Sequence, residues 1–442
     1  MNLSKAICVV FVAALPATTM GFRPTNTNGR TPLTKTDYVS KDIEHMTPET
    51  LDTIESYRIA LGDAKSDEED LLTTYQNALE ETPPSDQHLI ERNIGSMTIP
   101  VGITQPLLLH DVNGKKSKKV SIPIATTEAT LVASTRRGVG VINRSGGIHV
   151  YNEPDAHVVF GITIETKNIG CMAALRETLE AELNAAELQD KIVSKTSNYC
   201  ELRKIEILPL GNRVRLLMWY ATGDAAGQNM MTKASAAIMG FLDSKYTKNE
   251  RYGITHIRRS NLDGDKKPSQ FTATRPTSRG VQVTAQVLLC RKAIRRILHV
   301  SPEDLLHLHK QACTEASAMG ENGNLVNPAN LLAATFLSLG QDPACIVECS
   351  QNIVAEFELT PEGDVLGTWT FPNLLVGNVG GFTNTMISRA ALNLVEADSK
   401  HDIAKVIASA VVAQDISILG SLATHKSGDF TTAHSTMGGR AK

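Results

Sequence analysis

Four short stretches of this chain carry side chains that could do chemistry. Glu128 lies in IATTEATLVASTRRG, Lys266 in DGDKKPSQ, Asp342 in LGQDPA and His434 in TTAHSTMGGRAK. Two carboxylates, an ammonium and an imidazole can together polarise a carbonyl, stabilise an oxyanion and transfer protons. The sequence therefore offers the parts of an acid–base site, provided that the fold brings these stretches together.

Each stretch also has an ordinary structural explanation. Glu128 precedes an apolar helix start, where a carboxylate complements the helix dipole. The turn 263–270 is typical of an exposed loop, and Asp342 stands where a helix N-cap is expected. His434 is close to the C-terminus and unremarkable by itself. Taken one at a time, the four residues favour these structural roles.

Other site chemistries leave no pattern in the sequence. There is no Gly-x-Ser-x-Gly elbow, no Cys-x-x-Cys and no Cys–His pairing signature. His307 and His309 are two residues apart, so they point apart on a helix, and no metal site is predicted. The seven cysteines are scattered, which argues against a disulfide framework and suits a reducing compartment.

A glycine-containing stretch, GDAAGQNMM at 223–231, separates the strand-like LLMWYA from the helical TKASAAIMGFLD. Glycines at a strand-to-helix junction allow the backbone to approach a ligand closely. The stretch is neither GxGxxG nor GxxxxGK[ST]. From the residues alone it is either a nucleotide site of another design or a tight turn.

Size and charge bound the class of protein. The chain has 442 residues, of which 42% are hydrophobic and 21% charged, and this length favours two or three domains. The net charge is −3, so no basic surplus exists to neutralise a run of phosphates. A nucleic-acid partner is therefore not expected.

The N-terminus has the pattern of a targeting segment. Residues 1–24 hold one lysine, a short apolar run and then small residues, as in a signal peptide. Secretory or ER entry, plastid-type bipartite targeting and a cytoplasmic protein remain open alternatives. No segment beyond residue 24 is predicted to span a membrane, so a soluble catalytic body is expected.

The elements that must position these residues fall into a defined order. Residues 25–85 read as a linker and a small helical segment, and Asn113–Gly114 predicts a hairpin turn. Residues 158–258 alternate as β-α-β-β-α-β, a ferredoxin-like unit with one long helix from Cys171. The flanking ranges 86–157 and 259–442 predict a large α/β domain into which that unit is inserted. The fold class is thus mixed α/β and α+β.

Seven collinear blocks resemble the catalytic portion of 3-hydroxy-3-methylglutaryl-CoA (HMG-CoA) reductase, closest to its eukaryotic and archaeal class. They span roughly 86–442: IGSMTIPVGITQPLLL, IATTEATLVASTRRG, GDAAGQNMMTKA, DKKP, ANLLAATFLSLGQDPA, VGNVGGFT and AHSTMGGR. The resemblance implies a large domain, an inserted ferredoxin-like domain that binds the nicotinamide cofactor, and a mobile C-terminal tail. It also implies a homodimer or homotetramer with the active site at the interface.

The resemblance assigns a role to each of the four residues. Glu128 matches the proton donor to the substrate carbonyl, Lys266 the cation that stabilises its oxygen, and Asp342 the carboxylate that holds both. His434 matches the histidine that protonates the departing CoA thiolate. Substrate and CoA contacts are carried over to Ser134, Arg137, Lys267 and Asn330. Contacts with NADPH are carried over to Ser197, Asp224, Ala225, Ala226, Gly227, Gln228, Asn229 and Met230.

This chain departs from the family pattern at its charged pockets. Asp155 stands where the family has an acyl-pocket arginine, and Arg259 replaces a serine before the DKK turn. Asn198 replaces the arginine that meets the 2′-phosphate, and Glu201 replaces a second arginine, so NADH is an alternative to NADPH. Arg92 replaces the asparagine of ENVIG.

The sequence therefore predicts an NADPH-dependent reductase that converts HMG-CoA through two hydride transfers to mevalonate and CoA, for isoprenoid synthesis. One alternative is a reductase of a different acyl-CoA thioester, which the Asp155 exchange favours. Another is a non-catalytic paralogue that binds a CoA ester.

Overall fold

The computed structural model describes residues 98–424 and Thr73. The predictions for the targeting segment 1–24, the segment 25–85 (apart from Thr73), Arg92 and His434 lie outside these residues. Twelve strands are described: β1 (Val101–Ile103), β2 (Leu107–Asp111), β3 (Lys116–Val120), β4 (Pro123–Ala125), β5 (Ile148–Asn152), β6 (His157–Thr166), β7 (Glu201–Leu210), β8 (Arg213–Ala221), β9 (Ile254–Arg259), β10 (Arg279–Leu289), β11 (Val354–Leu359) and β12 (Val365–Leu374).

The helices alternate with these strands. They are α1 (Leu131–Arg144), α2 (Ile169–Glu182), α3 (Ala185–Lys191), α4 (Gln228–Tyr246), α5 (Phe271–Thr274), α6 (Arg291–Ala293), α7 (Pro302–Met319), α8 (Pro328–Ser338), α9 (Ile346–Cys349), α10 (Met386–Leu394) and α11 (Lys400–Ala423). Short 3₁₀ turns cover Val193–Lys195, Pro343–Cys345 and Gly381–Asn384, and a π-helical turn, Ile294–Leu298, follows α6. The architecture is mixed α/β.

One long strand joins two groups of strands. β10 pairs along most of its length with β12 and β5, which extend the sheet to β11 on one side and to β2 and β3 on the other. At its first two residues, Arg279 and Gly280, β10 pairs instead with β6. The strands β6 to β9 form the second group, and Arg279 therefore lies where the two groups meet.

The second group has the predicted β-α-β-β-α-β element order. β6 pairs with β8 and β9, and β8 pairs with β7, so the strands lie in the order β9-β6-β8-β7, all antiparallel. The turn between β7 and β8 falls at Gly211–Asn212, as the sequence indicates. The single long helix predicted from Cys171 is wrong: it breaks after α2, because Asn184 caps a new helix, α3.

The hairpin predicted at Asn113–Gly114 is confirmed. β2 and β3 pair antiparallel from Leu107↔Val120 to Asp111↔Lys116, and residues 112–115 form the turn. β2 then pairs in parallel with β5, across α1. Because α1 lies in the chain between β2 and β5, this pairing positions the start of α1, which follows Glu128 in the sequence.

The long helix α11 has the length and composition of a membrane span, a feature that the sequence analysis did not single out. Lys400–Ala423 is long and apolar enough to cross a bilayer, but 89% of its most apolar window is buried inside the protein. Ser399 and Asp402 form a capping box at its start. A core helix and a membrane span share length and composition, so burial separates them, and here the helix packs within the fold.

Close contact between α1 and α11 depends on Gly138. A Cβ added there would stand 1.7 Å from the carbonyl oxygen of Ala413, a backbone atom that cannot rotate away. We expect Gly138→Ala to lower the free energy of unfolding by about 2–3 kcal/mol, because the helices must move apart. Urea unfolding measures the change.

The matched control is Gly240→Ala in the interior of α4, where an added Cβ meets nothing within 4 Å. That substitution should stabilise the protein by about 0.5–1 kcal/mol through helix propensity. Equal effects of the two substitutions would contradict the close-packing argument.

A buried carboxyl on α11 makes stability depend on pH. Asp415 is 5% exposed and accepts a hydrogen bond of 2.8 Å from the indole N–H of Trp369, while burial raises its pKa to about 6. The folded protein therefore holds this proton at pH values where the unfolded chain has released it. As the pH rises from about 4 to about 6, the free energy of unfolding should therefore fall by on the order of 3 kcal/mol because of this group.

The Asp415→Asn variant should lose this part of the pH dependence, measured as urea unfolding from pH 4 to pH 7. Glu362→Gln, in an exposed turn, is the control and should keep the wild-type profile. A wild-type profile in the Asp415 variant would assign the dependence to other groups.

Candidate active site

The loop after β9 carries the first candidate residue, Lys266. Its backbone has a left-handed conformation, with φ 52°, which is uncommon for a lysine. The Lys266 backbone N–H donates to Oε2 of Glu348 at 3.1 Å, and the neighbouring Lys267 Nζ donates to Asp263 Oδ1 at 3.2 Å. The loop is thus held from both sides in a conformation that needs external support.

Lys266 and Asp342 meet although 76 residues separate them. The Lys266 Nζ donates to Oδ2 of Asp342 at 2.6 Å. Asp342 is also the predicted N-cap, because its Oδ1 accepts from the backbone N–H of Ala344 at 3.0 Å. The hydrogen bond to Asp342 raises the pKa of Lys266, so the side chain remains an ammonium at neutral pH.

A buried ionic network lies beneath this loop. Arg279 is fully buried, and its Nε and one terminal nitrogen each donate to Glu348 at 2.9 Å. The same terminal nitrogen donates to Oδ1 of Asp265 at 2.6 Å. Burial raises the pKa of Glu348, and the charge of Arg279 and its two hydrogen bonds oppose that shift. The network holds Asp265, the residue before Lys266, and the backbone N–H of Lys266 itself.

Asp265 connects the loop to the start of α4. Besides Arg279, its carboxylate accepts from Gln228 Nε2 at 3.0 Å and from Arg259 at 2.6 Å. Burial would raise the pKa of Asp265, but the arginine charges outweigh it and hold the pKa below its usual range. Gln228 is the first residue of α4, so the carboxylate of Asp265 connects the Lys266 loop to the glycine stretch 223–231.

The glycine stretch forms a turn that packs against residues 378–379 and Lys400. Gly227 is the N-cap of α4 with φ 82°, and no side chain caps the helix. Asp224 accepts from the backbone N–H groups of Lys400 and Asn378, and Ala225 pairs with Val379. An added Cβ at Gly227 would lie 2.3 Å from Thr222. Because no side chain caps α4, its first backbone N–H groups stay available for an anion.

Two other residues assigned to the dinucleotide, Ser197 and Met230, contact each other. Ser197 Oγ lies 3.4 Å from Met230 Sδ, which joins the turn before β7 to α4. The two cations on β7 that could meet a phosphate are each paired on their own strand, Arg203 with Glu201 at 2.8 Å and Lys204 with Glu206 at 3.1 Å.

Glu128 and Asn330 are brought together from distant parts of the chain. Asn330 Nδ2 donates to Oε1 of Glu128 at 3.4 Å. Glu128 lies two residues before the N-cap residue, Thr130, and the first turn of α1 itself holds no acidic residue, so the helix-dipole explanation stays a prediction. None of the described hydrogen bonds joins Glu128 to Lys266 or Asp342. The structure thus forms two pairs of candidate residues.

Ser134 and Arg137 face the interior helix α11. Ser134 Oγ donates to Ser417 Oγ at 3.0 Å, and Arg137, 4% exposed, donates to the same oxygen at 2.9 Å. Their role towards CoA stays a prediction.

Comparison with known proteins decides the family. The profile described as "Hydroxymethylglutaryl-coenzyme A reductase" matches residues 54–439. The 3-hydroxy-3-methylglutaryl-coenzyme A reductases of Pyrococcus abyssi and Methanocaldococcus jannaschii are 32% and 30% identical, each over 79% of this chain and 84% of the relative. The chain belongs to the hydroxymethylglutaryl-coenzyme A reductase family. A Ganoderma lucidum enzyme of the same name is 31% identical over 78% of this chain but only 28% of its own length.

The fold agrees with that of solved members of the hydroxymethylglutaryl-coenzyme A reductase family. The class II enzyme from Streptococcus pneumoniae, solved bound to NADPH, superposes with a TM-score of 0.62. It covers 87% of this chain and 99% of its own at 16% sequence identity. At that identity the likeness supports the fold.

Two members of the buried network, Arg279 and Glu348, were not predicted from the sequence of this reductase-family chain. Arg279 is the single charge of an otherwise uncharged strand, RGVQVTAQVLL, and Glu348 lies between two cysteines in ACIVECS. Charges in apolar surroundings are a signal of buried pairing. Among residues 98–424, no group of three or more His, Cys, Asp or Glu side chains is placed to hold a metal ion.

Proposed function

We propose that this chain is an NADPH-dependent HMG-CoA reductase that converts the thioester to mevalonate and CoA, for isoprenoid synthesis. The observation that carries the proposal is the Lys266–Asp342 pair at 2.6 Å in a chain of this family. A protonated ammonium held by a carboxylate can stabilise the oxyanion that forms when a thioester carbonyl is reduced.

The residues of the glycine stretch fit a nicotinamide dinucleotide. α4 begins with backbone N–H groups that no side chain caps, no acid lies in its first turn, and Gly227 adopts the left-handed conformation in which the helix begins. These features suit the pyrophosphate of a dinucleotide. Residues 223–231 and Ser197 would hold it, and when bound it supplies hydride. In this proposal residues 158–258 are an inserted cofactor domain.

The protein's own groups would handle charge and protons. Lys266 faces the developing oxyanion, and Asp342 keeps the lysine charged and oriented. Glu128, held by Asn330, donates the proton that the carbonyl oxygen takes up. His434 would protonate the leaving thiolate, which otherwise recombines. The reaction proceeds from thioester through hemithioacetal and aldehyde to the primary alcohol.

A small cavity beside Lys266 suits the acyl group. It has a volume of about 360 Å³ and is lined by Arg259, Ser260, Asn261, Asp265 and Lys267. Arg259 lies over the ring of Phe160 at 5.0 Å and is half exposed, and although it is paired with Asp265, it would exchange part of that pairing for a substrate carboxylate. We propose that Arg259 and Lys267 replace the acyl-pocket arginine that Asp155 does not supply. Asp155 itself is exposed.

Cofactor discrimination should be weak. Asn198 carries no charge, and Arg203 and Lys204 are already paired with glutamates. We expect kcat/KM for NADPH to exceed that for NADH by no more than about tenfold, equal to about 1.4 kcal/mol. Initial rates at varied NADPH and NADH concentrations give the ratio. A preference above a thousandfold would require a 2′-phosphate contact that these residues do not provide.

The test of the proposed function follows nicotinamide absorbance. Residues 25–442 are incubated with HMG-CoA and NADPH or NADH, beside Lys266→Ala, and mevalonate is quantified. Oxidation that yields mevalonate and disappears in the variant supports the proposal. Absence of oxidation from folded protein, with turnover of another acyl-CoA, would favour the alternative substrate. Binding of CoA esters without any turnover would favour the non-catalytic paralogue.

Two further features of the proposal concern the assembled protein. The family resemblance suggests a homodimer or homotetramer with the active site between subunits, and light scattering of the purified chain measures its mass. Residues 1–24 suggest ER or plastid-type targeting, with a cytoplasmic protein as the alternative. Fusion of these residues to a fluorescent protein tests that destination.

A further inference from the structure

The helix α7 places a cysteine and a histidine one turn apart. His309 and Cys313 are four residues apart, which brings their side chains onto one face of the helix. The imidazole Nε2 lies 3.5 Å from the Cys313 sulfur. The pair matches no known Cys–His motif, so the sequence alone gives no signal of it.

A third residue binds the same sulfur. Asn324 Nδ2 donates to Cys313 Sγ at 3.2 Å. The amide is fixed by β11, since its Oδ1 accepts from the Ala355 N–H at 2.6 Å and its Nδ2 also donates to the Ala355 carbonyl at 2.8 Å. The fixed amide thereby holds the Cys313 sulfur in place beside the imidazole.

The imidazole is held in place and uncharged. Its ring stacks on Phe357 with centroids 4.2 Å apart, and Phe357 in turn meets Trp369 edge-on at 5.1 Å. Burial lowers the pKa of His309, so the neutral ring predominates at pH 7, and the thiolate that forms beside it would stabilise the imidazolium produced by proton transfer. The thiol therefore has a fixed base within reach.

The sulfur opens onto a cavity separate from the proposed acyl pocket. Its volume is about 620 Å³, and its wall includes Cys313 and His309 and the charged residues Lys310, Glu356 and Glu358. It shares no lining residue with the smaller cavity beside Lys266. Two carboxylates against one ammonium give the wall a net negative charge.

We propose that Cys313 is a covalent modification site that takes small, amine-bearing disulfides, the chemical class of cystamine. The thiol–base pair supplies the reaction, the cavity has room for the attached group, and the carboxylates of Glu356 and Glu358 attract its ammonium. This site lies outside the reductase chemistry and does not depend on it.

The reaction is a thiol–disulfide exchange. As Cys313 Sγ attacks one sulfur of the disulfide, its proton passes to Nε2 of His309. A new S–S bond forms to Cys313 while the original S–S bond breaks, and the departing aminothiolate takes the proton from His309. The protein thiol is oxidised, one half of the disulfide is reduced, and no other reagent is needed.

The test compares cysteines within one protein. The reduced full chain is incubated with cystamine for timed intervals, and the adduct on each cysteine is quantified by peptide mass spectrometry. Cys171 and Cys290 are the internal controls, because both are, like Cys313, partly exposed. We expect Cys313 to react at least about tenfold faster than either control and to slow about tenfold in His309→Phe, which keeps an aromatic ring against Phe357.

A second variant tests the cavity without touching the buried ring. Glu356→Gln with Glu358→Gln should slow the reaction with cystamine and leave that with the uncharged reagent iodoacetamide unchanged. Faster labelling of Cys313 together with this charge effect supports the proposal, even if His309→Phe fails to fold. Labelling of Cys313 no faster than Cys171 and Cys290 would overturn it, as would a folded His309→Phe that reacts at the wild-type rate.

Discussion

The Lys266→Ala variant is expected to lose about 10²–10³-fold in kcat, with KM for HMG-CoA changed by no more than a few fold. Removal of one group that stabilises an oxyanion has an effect of this size, because the interaction is made mainly in the transition state. The pair with Asp342 is half exposed, so the variant should fold normally. Steady-state kinetics and a thermal melt measure both properties.

Lys267→Ala is the matched control for this prediction. The two lysines are adjacent, but Lys267 pairs with Asp263 and lines the smaller cavity, whereas Lys266 pairs with Asp342. We expect Lys267→Ala to raise KM and to change kcat little. If Lys266→Ala keeps kcat within about threefold of the wild type, its ammonium is not the group that meets the oxyanion.

The Glu348→Ala variant should be strongly destabilised, by about 3–5 kcal/mol. Arg279 would then be left buried with its main anion removed, and breaking such a pair exposes the full cost of an uncompensated charge. The backbone N–H of Lys266 would also lose its acceptor, so kcat should fall in whatever fraction folds. Urea unfolding gives the stability and single-turnover rates give the chemistry.

Two variants separate this effect from a general loss of charge. Glu348→Gln keeps the volume and an acceptor oxygen, and should cost less than Glu348→Ala. Glu180→Ala removes an exposed i,i+4 pair with Arg176, and should change stability by less than about 0.5 kcal/mol. A loss below about 1 kcal/mol in Glu348→Ala would show that the buried pair contributes little.

Asp265 gives these effects a structural connection. It binds Gln228 at the start of α4, Arg279 in the buried network and Arg259 at the small cavity. The glycine stretch, the Lys266 loop and the cavity thus share one carboxylate. A shift of α4 would therefore move Asp265 through its 3.0 Å hydrogen bond with Gln228, and with it the neighbouring Lys266.

The sequence by itself determined the tight turns and one helix cap. The β2–β3 hairpin and the β7–β8 turn form where Asn–Gly and Gly–Asn occur, because these residues tolerate the backbone angles of tight turns. Asp342 caps the 3₁₀ turn that follows it for the same local reason. The four chemical stretches and the family resemblance could also be read without coordinates, since they depend on residue types and order alone.

Only the tertiary structure decided which of these residues meet. The contacts Lys266–Asp342 and Arg279–Glu348 join residues 76 and 69 positions apart, and no periodicity carries that information. Burial likewise separates the core helix α11 from a membrane span of equal length and hydropathy. The Cys313 site needs Asn324 from another element, so its chemistry arises from packing. Long-range contact and burial are properties of the folded chain, because they depend on how elements pack and not on neighbours in sequence.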